Sequence, residues 1–228
     1  MIAMLLRLMA LVWISVSASF PAIAQSGEIG SEAGEDVALS PETLGDALSC
    51  RSHPAAGAFA SALFLEDKTP EWMRKIADDK DTEGMIGLYG FRLSKPVLLM
   101  GEQVTTVYFL QDWVVTLWPR DKVAAFIATQ KMARAPIKVT EQYYRFIDSE
   151  SGPMLGAFEP TGGAISEMLA KAFGAQVPPS PASNSLFVGC NYTVASQADF
   201  LEAAAQSEAI VKGAAADISK AVAPPDTQ

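Results

Sequence analysis

At 228 residues, 50% hydrophobic and with a formal net charge of −9, the chain is long enough to bury a sizeable core, and its surface on average repels nucleic acid and anionic lipid. Its 17 Lys and Arg are scattered without a cationic run, which argues against nucleic-acid binding. One histidine and two cysteines leave few catalytic templates open.

The N-terminus has the parts of a Sec-type signal peptide: Arg7 as the positive region, an apolar stretch over 8–16, and Ala22-Ile23-Ala24 as a small-x-small cleavage pattern before Gln25. A membrane anchor fits less well, because Ser15, Ser17, Ser19 and Pro21 interrupt a stretch already short for a span. Cleavage after Ala24 predicts a periplasmic or secreted protein with no stable membrane insertion. In that oxidising setting Cys50 and Cys190 are expected to form a disulfide across about 140 residues, since no C-x-x-C spacing suggests redox or metal chemistry.

Residues 25–39 are acidic and poor in apolar side chains, and read as a flexible leader. A single domain is expected over 40–195. Ser40-Pro41-Glu42 supplies an N-cap, a proline at the first helical position and an acidic first turn, so a short helix carries Leu44, Ala47 and Leu48 toward Cys50. Ser52-His53-Pro54 holds the single histidine; with no third group in reach of a Ser-His pair, His53 is read as an exposed turn residue. Residues 55–65 place Phe59, Ala62, Leu63 and Phe64 at helical offsets, as in a buried helix. Thr69-Pro70-Glu71-Trp72 repeats the cap, proline and acid logic and predicts a further helix through Met73, Ile76 and Ala77.

From Asp79 the chain imitates the start of a calcium loop, with oxygen side chains at the first, third and fifth positions and Gly84 at the sixth. The twelfth position is Gly90 instead of glutamate, so no metal site is expected.

The most legible stretch is 87–132. Strands are predicted over 96–99, 104–110 and 113–118, with a type II′ reversal at Met100-Gly101 and a second at Gln111-Asp112. Val114, Thr116 and Trp118 alternate with Trp113, Val115 and Leu117, so both faces of the third strand are apolar and it reads as a covered central strand. A helix is expected over 121–132. Further strands are predicted over 139–147, 154–158 and 185–194, the last carrying Cys190. A helix over 164–173 follows Thr161-Gly162-Gly163, which matches no phosphate-binding motif. Residues 177–181 form a proline-rich connector, and 196–228 an Ala-rich helix with a disordered tail.

These readings give an α+β fold: a mainly antiparallel sheet of about five or six strands around a central β-meander at 87–118, with helices packed on it and one disulfide. No catalytic, cofactor-binding or metal-binding set emerges. The leading expectation is an exported, non-enzymatic binding or envelope-associated protein, such as an inhibitor, whose partner is another exported protein. Tyr108, Trp113, Trp118, Tyr143 and Tyr144 are the candidate anchors of its contact surface where they are not core. The alternatives are a periplasmic carrier of a small apolar ligand or lipid, and a hydrolase using acidic residues.

Overall fold

The computed structural model describes residues 37–77, 79, 82, 85, 87–137, 140–160 and 184–206. The strands are β1 (Met73–Lys75), β2 (Leu88–Leu99), β3 (Glu102–Leu110), β4 (Trp113–Pro119), β5 (Ala133–Arg134), β6 (Gln142–Phe146), β7 (Met154–Phe158) and β8 (Ser185–Asn191). The helices are α1 (Pro41–Leu48), α2 (His53–Ala60), α3 (Arg120–Gln130) and α4 (197–206). The signal peptide expected over 1–24, the leader expected before residue 37, the helix expected over 164–173, the connector expected over 177–181 and the chain beyond 206 fall outside the described residues.

All eight strands belong to one antiparallel sheet in the order β1-β2-β3-β4-β8-β7-β6-β5. Two meanders therefore meet in the middle, where β4 pairs with β8 over seven residues from Trp113↔Asn191 to Pro119↔Ser185. Alternation sorts the side chains onto two faces. Val114, Trp118, Leu155, Ala157, Leu186, Val188 and Cys190 face α1, α2 and α3 in the main core. Val115, Phe187 and Tyr108 lie in a cluster on the opposite face, and Tyr144 and Met154 pack there with Phe200 and Leu201 of α4. Strand β4 is thus covered on both sides, as its two apolar faces predict.

Local sequence explains the helical entry. The Ser40 hydroxyl accepts from the Thr43 N–H at 3.3 Å, the Thr43 side chain accepts from the Ser40 N–H at 3.0 Å, and Pro41 opens α1. Leu44, Ala47 and Leu48 are fully buried, each leucine stabilising the fold by about 1.5–3 kcal/mol. Val37 and Leu39 already pack against this core, and the Leu39 carbonyl accepts from the Trp72 indole N–H at 3.3 Å. Just beyond α1, Cys50 takes a φ of +59° and bonds to Cys190 on β8 with a Cα–Cα distance of 5.1 Å, so the predicted disulfide ties the first helix to the last described strand.

Four expectations are corrected. The helix expected from Thr69 is instead a turn followed by β1, because Met73, Arg74 and Lys75 pair with Leu93, Arg92 and Phe91 of a β2 that begins at Leu88 and not at residue 96. Pro96 lies in the irregular stretch of β2 where register shifts between Arg92 and Val97, which is how a strand accommodates a proline. The Met100-Gly101 reversal has positive φ at both residues, +49° and +95°, the mark of a type I′ turn and not II′. Among the described residues the sheet has eight strands, because two short edge strands, β1 and β5, join the six legible in sequence.

Both edges are protected against further pairing. Strands β1 and β5 are short and carry Arg74, Lys75 and Arg134, all exposed. Where β2 runs past β1, α1 covers it: the Ser49 hydroxyl donates to the Leu98 carbonyl at 3.3 Å and accepts from the Met100 N–H at 3.2 Å. Among the described residues no helix is long and apolar enough to cross a membrane.

Candidate functional site

The aromatic residues singled out as contact anchors are mostly interior. Tyr108, Trp118 and Tyr144 are buried. The Tyr108 hydroxyl donates to Asp79 at 2.7 Å, the Trp118 ring meets Phe126 edge-on beneath the Lys122 ammonium, and Tyr144 packs on Phe200. Trp113 and Tyr143 are half-buried, and the Trp113 ring covers Gly156 so closely that a Cβ there would lie 2.5 Å from it. These side chains are scaffold. Gly90, the would-be twelfth position of the calcium-like loop, lies inside β2 under the Tyr108 ring.

Exposed apolar side chains lie elsewhere: Leu98, Ile147 and Val194 at separate places, and a cluster at the end of α2. After α2 the chain widens into a single π-helical turn, Ser61–Leu65, closed by the Glu66 N–H on the Ser61 carbonyl and by the Lys68 N–H on the Ala62 carbonyl. Such turns recur at functional sites. This one keeps Ala62 and Leu63 inward and turns Phe64 and Leu65 outward, at 41% and 84% exposure. Phe64, expected to be buried, is instead a surface residue. Its ring lies 4.9 Å from that of Tyr89, itself 43% exposed, and 5.8 Å from that of buried Phe109. Phe109 in turn meets Phe91 edge-on, so the surface aromatics rest on the core. The Lys75 ammonium stands 5.6 Å from the Tyr89 ring at the margin.

No protein-family model matches the chain, and no curated protein or solved structure matches it either.

A polar cluster occupies another part of the sheet. The Arg120 guanidinium at the start of α3 donates to Glu141 before β6 and, at 2.8 Å, to Glu159 after β7. The Tyr143 hydroxyl donates to the second Glu141 oxygen at 3.0 Å. Burial first, and that bond second, hold the Tyr143 hydroxyl above its usual range. A pair of acids is what a carboxylate hydrolase requires, but here both spend acceptor oxygens on the protein's own donors. The arrangement is a clamp between α3 and two strand ends.

His53 is exposed and opens α2, its ring stacked 5.0 Å from that of Tyr192. The Ser52 hydroxyl caps the same helix by accepting from the Ala55 N–H at 3.2 Å, so the pair performs helix capping and packing. Sequence reasoning missed the Phe64–Leu65–Tyr89 surface because, Ser61 apart, the residues from Ala55 to Leu65 carry no polar side chain to mark a solvent face. Only the change from α to π winding decides which of them face water.

Proposed function

We propose that this protein is an exported, non-enzymatic binding module that docks another exported protein through Phe64, Leu65 and Tyr89. The observation that carries the reading is the 84% exposure of Leu65 beside two partly exposed rings backed by the core. Aromatic side chains held on a rigid support serve as anchors in interface pockets, and an exposed leucine beside them adds apolar area to bury. Export rests on the signal-peptide pattern with cleavage after Ala24, and the Cys50–Cys190 disulfide agrees with an oxidising compartment. The periplasm or the cell exterior is the proposed location.

The test is affinity purification from the source organism's exported fraction with the wild type and Leu65→Asp. Leu65 is outside the core, so the variant keeps the wild-type unfolding midpoint. A central anchor is worth about 2 kcal/mol, roughly thirtyfold in affinity, so the wild type is expected to retain a partner that the variant loses. If the same proteins are retained by both, or none by the wild type, the reading fails.

A further inference from the structure

We propose that Arg74 and Arg92 form a binding site for an oxyanion of the phosphate or sulfate class on the sheet face opposite the main core. The two residues are direct partners across β1 and β2, and Arg92 is in turn the partner of Thr106 on β3. Directly paired residues project from the same face, with side chains about 5 Å apart at their bases. The row therefore presents two guanidinium forks and a hydroxyl. Their neighbours Met73, Phe91 and Leu93 point the other way, into the main core, while both arginines are exposed and Thr106 is half-buried.

Three observations single this pair out. First, the ion pairs among the described residues engage Arg51, Lys68, Arg120 and Lys122, and neither Arg74 nor Arg92. Second, like charges directly opposite on a sheet repel, and the fold retains this pairing in a chain of net charge −9 with 26 acidic residues from which to draw a partner. Third, edge protection accounts for a charge on β1 but not for a second arginine facing it from β2, which is an interior strand.

An oxyanion relieves the repulsion and accepts two-pronged hydrogen bonds from both forks, a geometry that arginine provides and lysine does not. Thr106 adds a neutral donor. Carboxylates beyond about 8 Å do little to oppose binding at physiological ionic strength, and Asp79, which approaches this face, already accepts a hydrogen bond from the Tyr108 hydroxyl. The same chemistry is offered by a soluble phosphate ester and by the headgroup of an anionic lipid.

The experiment uses inorganic pyrophosphate, followed by thermal shift, and vesicles of phosphatidylglycerol in phosphatidylcholine, followed by cosedimentation against pure phosphatidylcholine. The proteins are the wild type, Arg74→Gln, Arg92→Gln, the double variant and Arg134→Gln as an exposed control on the other edge. Binding of at least one probe is expected for the wild type and Arg134→Gln, with each single variant about tenfold weaker and the double variant silent. A response to pyrophosphate supports a soluble ligand, and a response to anionic vesicles alone supports a lipid headgroup. Silence of the wild type with both probes overturns the proposal, as does undiminished binding by the double variant. Leu65→Asp is expected to bind the probes as the wild type does, which separates this site from the protein-docking surface.

Discussion

The Tyr192 hydroxyl donates a 2.6 Å hydrogen bond to the Ala47 carbonyl, joining the chain after β8 to the last turn of α1 across 145 residues. Burial pushes the Tyr192 ionisation far above its ordinary value near 10. A phenol harder to ionise in the folded state stabilises that state fully below about pH 10 and loses the contribution as pH rises beyond it. Wild-type stability to urea is expected to fall between about pH 9.5 and 11, and Tyr192→Phe to fall less steeply while being about 1 kcal/mol less stable at neutral pH. Parallel alkaline limbs for the two proteins would contradict this assignment.

The disulfide beside that bond closes a loop whose ends are 140 residues apart. Chain-entropy arguments put its ceiling at about 5 kcal/mol, with 2–4 kcal/mol the usual yield. Urea unfolding with and without reductant is expected to show a loss in that range, with the Cys50→Ser, Cys190→Ser double variant matching the reduced protein.

Two glycines give opposite expectations for the same substitution. A Cβ at Gly189 would lie 2.2 Å from the Val114 carbonyl oxygen and 2.7 Å from the Val115 Cα, both backbone, so Gly189→Ala must push β4 and β8 apart at the centre of the sheet. A loss of about 3 kcal/mol or more is expected, read as insolubility or a much lower melting temperature. Gly57 is helical and exposed, and a Cβ added there would meet nothing within 4 Å, so Gly57→Ala is expected to stabilise by about 0.5–1 kcal/mol.

The Arg120 clamp is roughly 30% exposed, which places it between surface pairs worth little and buried pairs worth several kcal/mol. Arg120→Gln leaves Glu141 and Glu159 without their shared cation and is expected to cost about 1–2 kcal/mol at low salt, less at high salt. Adding Glu159→Gln is expected to recover part of the loss in a double-mutant cycle on thermal stability.

Much of the fold was legible where local chemistry and tertiary packing agree. Ser40, Pro41 and Glu42 start α1 as their types demand, and β7 occupies the predicted residues 154–158. Thr69-Pro70-Glu71 carries the same helix signature and fails, because pairing to β2 satisfies the backbone of Met73–Lys75 and buries Met73. Strands of two or three residues such as β1 and β5 are too short to show a period. Neither candidate surface was readable in sequence. Leu65 is exposed through a change of helical winding, and Arg74 meets Arg92 only through a register that no spacing along the chain records.

The sheet's order also constrains its assembly in time. Strand β4 is made long before β8, its inner neighbour, so the first meander must keep an open edge until residues 185–191 have been synthesised. Cys190 lies in that same late strand, so the crosslink to Cys50 and the closing of the central ladder await one event. Pairings this distant along the chain slow folding, and the open β4 edge is meanwhile a place for misassociation. Until the final strand arrives, that edge has to stay unpaired or be shielded.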